Sequence, residues 1–198
     1  LRALIENFKG KIQVVGINDL GSVETNAHLI KYDSTHGILN HDVTTTKDSF
    51  QIGDQNIKVF AEKDPSKLPW SKIGADVVLE CTGFFLDKET AGKHIAAGAK
   101  KVIISAPAKQ VDFTLVQGVN SKELKKEHNI ISNGSCTTNC LAPVAMILEK
   151  NFGITYGYMT TIHSYTGDQK LLDTFHKDLR RARATEGSMI PTSTGAAK

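Results

Sequence analysis

Short runs of β-branched residues alternate along this chain with stretches whose apolar residues recur at helical spacing. Residues 1–8 have that spacing with no start signal before them, so they read as a helix entered in its middle. After Gly10, residues 11–17 gather Ile12, Val14, Val15 and Ile17 into one run that stops at Asn18-Asp19, the pattern of a buried strand. Residues 24–31 predict a helix. Residues 44–59 alternate about a Gly53-Asp54 turn, which predicts an antiparallel hairpin inserted on the first domain. Residues 77–81 and 102–105 predict two more strands, and residues 88–99, closed by Gly98, the helix between them. Strand, helix and strand within about 30 residues make a βαβ unit, which requires parallel strands and a crossover.

From Cys136 onward, Leu141, Val144, Ala145, Ile147 and Leu148 fall on one helical face, and the helix is expected to end near Asn151-Phe152-Gly153. Residues 156–162 predict a strand. Residues 167–188 are polar and Arg-rich, and they read as a functional loop because structureless loops of that length are otherwise uncommon.

Composition narrows the function. The 198 residues are 40% hydrophobic and 23% charged, as in an ordinary globular protein able to bury a core. A net charge of +3 is too mild to select nucleic acid or an anionic membrane by field alone, so small anions are the expected partners. No apolar stretch approaches the roughly 18 residues of a membrane span, and residues 1–20 lack a signal-peptide pattern, which leaves the cytoplasm as the expected compartment. Cys81, Cys136 and Cys140 read as reduced thiols; without a Cys-x-x-Cys pair or clustered histidines, no metal site is expected.

The segment Ser132-Asn133-Gly134-Ser135-Cys136-Thr137-Thr138-Asn139-Cys140 puts a cysteine where a turn gives way to a helix. Unpaired N–H groups and the positive end of the helix dipole favour a thiolate there. On spacing alone, a structural cysteine at a helix start fits equally well. Asp19, at a strand end, fits both a ribose-binding carboxylate and an ordinary turn. His163 taken alone fits a structural or surface histidine.

Ser135-Cys136-Thr137-Thr138-Asn139-Cys140 resembles the active-site signature of the glyceraldehyde-3-phosphate dehydrogenase family. Further stretches resemble the same family: Ile17-Asn18-Asp19, Lys31-Tyr32-Asp33 through His36-Gly37, Asp64-Pro65 to Trp70, Glu80-Cys81-Thr82-Gly83-Phe84-Phe85, Ile104-Ser105-Ala106-Pro107, His163-Ser164-Tyr165-Thr166, and residues 190–198. The resemblance implies an α/β fold, with a Rossmann-type parallel sheet nucleotide domain followed by the start of an α+β catalytic domain with a mixed sheet. Residues 1–135 would be the NAD-binding domain without its N-terminal strand and glycine-rich loop. Residues 136–198 would begin the catalytic domain, with the family's S-loop at residues 167–188. The sequence is accordingly expected to be part of a longer protein.

The resemblance also implies roles. Cys136 would be the nucleophile that forms a thioester, His163 its base, and the Cys136 amide a donor to the oxyanion. Ser135, Thr137, Thr194 and Gly195 would bind the attacking inorganic phosphate; Thr166 and Arg183 would bind the phosphate of glyceraldehyde 3-phosphate. Asp19, Lys63, Thr82 and Ser105 would bind NAD, with Asp19 disfavouring a 2′-phosphate. A homotetramer is implied, with no membrane or nucleic acid as primary partner. Lys177, Arg180 and Arg181 read as a solvated basic surface. Gly134 stands where the family often has Ala, and Thr174-Phe175 where it often has Leu-Pro. Two other readings compete: an erythrose-4-phosphate dehydrogenase, which hydrolyses its thioester, and a non-catalytic nucleotide- or RNA-binding fragment resting on the basic residues 177–183. Aromatic content of 7%, not interleaved with those charges, argues against an RNA stacking platform.

Overall fold

The structure, a computed structural model, describes residues 1–8 and 10–196, so Ala197 and Lys198 of the 190–198 signature lie outside the described residues. In chain order the elements are α1 (Arg2–Asn7), β1 (Gly16–Asn18), α2 (Val23–Lys31), β2 (Tyr32–Asp33), β3 (Gly37–Ile38), β4 (Val43–Thr45), β5 (Ser49–Ile52), β6 (Gln55–Phe60), β7 (Val77–Glu80), α3 (Lys88–Ala96), β8 (Lys101–Ile104), β9 (Phe113–Thr114), β10 (Ile130–Ser132) and α4 (Cys136–Phe152).

Two four-stranded sheets carry the fold. One has the order β1-β6-β5-β4 and is mixed: β1 pairs β6 in parallel, while β6-β5 and β5-β4 are antiparallel. The other, β7-β8-β10-β9, is parallel throughout. The predicted hairpin is therefore β5-β6, but it is no insertion, because its second strand is the partner of β1.

The strand predicted over residues 11–17 is shorter and later, spanning Gly16–Asn18. The register sets Gly16 against Lys58, so residues 11 and 12 would lie past Gln55, where β6 begins. The expected βαβ unit is β7-α3-β8. Helix starts follow side-chain caps: Ser22 accepts from the Thr25 amide, Asp87 from Thr90 and Ser135 from Thr138, which satisfies donors that lack an intrahelical partner.

Burial follows the sheets. Leu39, Phe50, Ile52 and Ile57 are closed off between the mixed sheet and helices α1 and α2, each fully buried side chain contributing roughly 1.5–3 kcal/mol. Ala91, Val102, Ile104 and Ile130 form the core of the parallel sheet under α3. Between them, Leu68, Trp70, Val78, Ala97 and Ala99 pack with Val15, Phe60 and Ile73, joining the β1 side of one sheet to the β7 side of the other.

After Ser132 the pattern is less well matched. Residues 156–162 form no strand: Tyr158 and Ile162 are almost wholly exposed, and a strand-forming segment makes a ladder only where a partner strand is present. Helix α4 has the expected extent, but Val144, Ile147 and Leu148 on its predicted inner face remain about half exposed.

Asp112 ties the edge of the parallel sheet. It accepts from the amides of Asn129 (2.8 Å) and Ile130 (2.9 Å) and pairs with Lys88 at 2.6 Å. Lys88 and then the Ile130 amide hold its carboxyl down at about 2. A depressed carboxyl contributes stability above its unfolded value and loses it as pH falls toward 2. Asp112→Asn is expected to cost about 1–2 kcal/mol at pH 7, discounted for the exposure of Lys88. Urea unfolding at pH 7 and pH 3 checks this, since the gap between variant and parent should narrow at the lower pH.

Candidate active site

Parallel pairing brings the carboxyl ends of β1, β6, β7, β8 and β10 to the ends of their sheets where crevices form in such folds. Each end leads into a residue singled out from the sequence: β1 into Asp19, β6 into Lys63, β7 into Thr82, β8 into Ser105, and β10 into Ser135 and Cys136. Asn18 locks two of these ends together. Its side-chain amide donates to the Glu62 carbonyl at 2.9 Å, and its oxygen accepts from the Glu62 amide at 2.8 Å. The Asp19 Oδ1 accepts from the Gly21 amide at 2.7 Å.

The turn before α4 is pinned residue by residue. Ser132 Oγ donates to the Ala106 carbonyl at 2.7 Å and accepts from the Gly134 amide at 3.0 Å. Gly134 sits at φ +67°, a left-handed conformation that strains any residue with a Cβ, so glycine relaxes the turn here. Asn139 donates to the Asn133 and Ser135 carbonyls at 2.7 and 2.9 Å, strapping the first helical turn to the strand end. Cys136 follows as the first residue of α4, where helix geometry leaves its amide without an intrahelical acceptor.

His163 comes to this cysteine from a separate segment, with Nε2 3.0 Å from Cys136 Sγ. Its Nδ1 lies 2.6 Å from the Ser164 carbonyl, an acceptor, so the bonding assigns a proton to Nδ1 and turns Nε2 to the sulfur. Partial burial pushes the Cys136 thiol up, but the hydrogen bonds from His163 and the Thr137 amide outweigh it and leave the thiol below its ordinary value. The Ser164 carbonyl, and then the sulfur, raise His163. Both shifts favour a thiolate facing an imidazolium. The pair opens on a cleft of about 530 Å³ lined by Thr137, Cys140, Leu141 and Val144 of α4 and by residues 159–164.

Thr166, Arg183, Thr194 and Gly195 do not line that cleft. Thr166 Oγ1 donates to Gln169 at 2.9 Å, Arg183 pairs with Asp173, and Thr194 Oγ1 accepts from the Ala196 amide at 3.2 Å. The loop over residues 167–188 is held across itself. Asp168 binds His176 (3.1 Å) and Arg181 (2.9 Å), Asp178 binds Arg180 at 2.6 Å, and Lys170 bridges Ala184. The reading of Arg181 as solvated is corrected, since it pairs with Asp168 and its side chain is only 16% exposed, whereas Arg180 stays exposed at the surface while paired with Asp178. The basic surface that favoured RNA is largely spent within the loop.

One cluster had no role in the sequence reading. Glu80, at the end of β7, is 4% exposed and meets His94, also 4% exposed. The signal was a carboxylate closing the apolar run Val77-Val78-Leu79, since a charge on a buried strand requires partners. Among the described residues no group of three or more His, Cys, Asp or Glu is placed to hold a metal ion, no helix is long and apolar enough to cross a membrane, and the three cysteines are unpaired.

Residues 1–88 match the family model described as "Glyceraldehyde 3-phosphate dehydrogenase, NAD binding domain", and residues 135–198 match "Glyceraldehyde 3-phosphate dehydrogenase, C-terminal domain". The chain is 57% identical over 198 residues to a glyceraldehyde-3-phosphate dehydrogenase of Xanthobacter flavus, covering all of this chain and 59% of that protein. It is 55% identical over 198 residues to one of Geobacillus stearothermophilus, covering all of this chain and 58% of the relative. With one of Pseudomonas aeruginosa it shares 52% over 199 residues, again all of this chain and 60% of the relative. It thus spans about three-fifths of the length of these relatives.

The shared proton between Cys136 and His163 has a direct readout. Alkylation of Cys136 by iodoacetamide, followed by peptide mass mapping, is expected to stay fast at pH values below the ordinary thiol range near roughly 8.5. In His163→Asn the rate profile should move to higher pH; an unmoved profile would show that the imidazole does not control the thiolate.

Proposed function

Because the chain belongs to the glyceraldehyde-3-phosphate dehydrogenase family, we propose that it carries the reactive half of a phosphorylating, NAD-dependent aldehyde dehydrogenase acting on glyceraldehyde 3-phosphate in glycolysis. The observation that carries this reading is the 3.0 Å contact between Cys136 Sγ and His163 Nε2 at the start of α4.

The Cys136 thiolate attacks the aldehyde carbon, and the oxygen that becomes anionic takes a proton from the His163 imidazolium while facing the Cys136 amide. A hemithioacetal on Cys136 results. His163, now neutral, takes back the hydroxyl proton as the carbon is oxidised to a thioester. NAD, when bound, supplies the hydride acceptor for that oxidation. Inorganic phosphate then attacks the thioester carbonyl, the C–S bond breaks, and the product leaves as the acyl phosphate 1,3-bisphosphoglycerate with the thiolate restored.

Residues 1–88 match the family's NAD binding domain, and the strand-end geometry suits a dinucleotide. Asp19 keeps one carboxylate oxygen without a partner among the described residues, available to ribose hydroxyls and repulsive to a 2′-phosphate. Lys63, Thr82 and Ser105 stand on neighbouring strand ends along the same route. Ser135, Thr137, Thr194 and Gly195 are assigned to the attacking phosphate, Thr166 and Arg183 to the substrate's own. A phosphate at Arg183 must take over the guanidinium edge that Asp173 now holds. The enzyme is read as a cytoplasmic homotetramer, in which the exposed Tyr158, Phe175 and Met189 would find cover.

The test is NAD reduction with glyceraldehyde 3-phosphate, with and without phosphate. With phosphate, turnover is expected to be sustained; without it, NADH should appear as a burst of one equivalent per Cys136 and then stall. His163→Asn should lower the rate by about 10²–10⁴-fold. Rapid turnover of erythrose 4-phosphate without phosphate would replace this reading with the hydrolytic one, and a monomer by light scattering would remove the tetramer.

A further inference from the structure

Beneath the cofactor edge lies a buried chain of hydrogen bonds that the proposed chemistry does not use. Trp70 Nε1–H donates to His94 Nδ1 at 3.0 Å, and His94 Nε2 lies 2.9 Å from Glu80 Oε2. Glu80 Oε1 accepts twice from one residue: the Thr82 amide at 2.7 Å and the Thr82 hydroxyl at 2.6 Å. The Thr82 hydroxyl in turn accepts from the Phe84 amide at 3.2 Å, and Phe85 meets His94 edge-on at 6.2 Å. Trp70, His94 and Glu80 are all at most 4% exposed, whereas Thr82 and Gly83 are exposed, with open space around Gly83.

Donor and acceptor chemistry fixes the protons in this chain. An indole N–H only donates, so His94 Nδ1 must accept and the imidazole proton sits on Nε2, pointing at Glu80. Glu80 then receives three donors and offers none, as an ionised carboxylate does. Burial pushes its carboxyl up, and the donors of His94 and Thr82 more than reverse that. Since the Thr82 hydroxyl spends its proton on Glu80, the groups that residues 82 and 83 keep for the strand-end crevice are chiefly main chain: the Thr82 carbonyl and the Gly83 amide.

We propose that Glu80 is a positioning residue for the dinucleotide: its carboxylate, held by the His94 Nε2–H, sets the Thr82-Gly83 main chain at the end of β7 where the cofactor lies. The proposal rests on the reading that NAD occupies that edge. It explains why a carboxylate without a cationic partner is kept in the interior. A neutral amide at position 80 cannot serve the same neighbours. Its oxygen satisfies Thr82 while its NH₂ faces the His94 Nε2–H, and moving the His94 proton to Nδ1 turns it against the indole N–H. Every arrangement sets two donors face to face, unless the indole N–H is removed.

That frustration supplies the test, read as the NAD dissociation constant by calorimetry and as amide hydrogen exchange at Thr82, Gly83 and Phe84. Glu80→Gln is expected to weaken NAD about tenfold, equivalent to one lost charge-assisted hydrogen bond, and to speed exchange at those amides. Trp70→Phe alone should stay within about threefold of the parent, because Glu80 still receives its three donors. The double variant should return to within about threefold of Trp70→Phe, since His94 can then accept from the new amide. Unchanged NAD affinity in Glu80→Gln, or a double variant as weak as Glu80→Gln, would overturn the proposal. If Glu80→Gln does not fold, the double variant decides alone: a folded, NAD-binding double supports positioning, and one that also fails to fold overturns it. A parent chain that binds no NAD would bring down the cofactor reading together with this inference, whereas a binding parent with an indifferent Glu80→Gln brings down this inference only.

Discussion

Parallel pairing is the constraint on which the rest depends. Strands that run the same way must return by crossovers, so their carboxyl ends accumulate along one side and whatever follows each strand is delivered there. In this chain the segments that follow β1, β6, β7, β8 and β10 are otherwise remote in sequence. Within each sheet the strand direction gathers them, and the Asn18 side chain ties the β1 end to the β6 end. Helix α4 adds its own polarity to the last of those ends, and Cys136 is where the two effects coincide.

Two acidic groups sit along that edge, Cys136 and Glu80, and hydrogen-bond donors lower both. The sulfur of Cys136 faces an imidazole and the Thr137 amide while remaining open to a cleft. The carboxylate of Glu80 faces two N–H groups and a hydroxyl while closed to water. The difference in access separates their uses: an anion open to a cleft can attack, while one enclosed by donors can only hold its neighbours in place. Ser135 and Asn139 serve the first as Trp70 and His94 serve the second, each fixing the geometry of a group it does not replace.

The sequence was most legible where local pattern and tertiary partner agree. Residues 88–99 carried both helical spacing and a closing glycine, and α3 lies there between two parallel strands. Legibility failed where the partner decides. Residues 11–17 carry Ile12, Val14, Val15 and Ile17, yet only the part opposite β6 pairs. Residues 156–162 read as a strand and still make no ladder. Ion pairing was invisible too: Arg181 looked like surface charge because Asp168 and Asp178 lie 13 and 3 residues away, and only the folded loop brings the more distant one to it. The Cys136–His163 pair was legible through resemblance and not through spacing, since 27 residues of separation carry no periodic signal.

Trp70 is the chain's single tryptophan. Its indole is buried, edge-on to Phe60 and bonded at 3.0 Å to an imidazole that ends two bonds from the Thr82 main chain. Indole emission responds to the polarity and proton-accepting strength of such a neighbour. The molecule therefore contains one indole wired to the turn at the end of β7, and its intrinsic light reports that turn without a label.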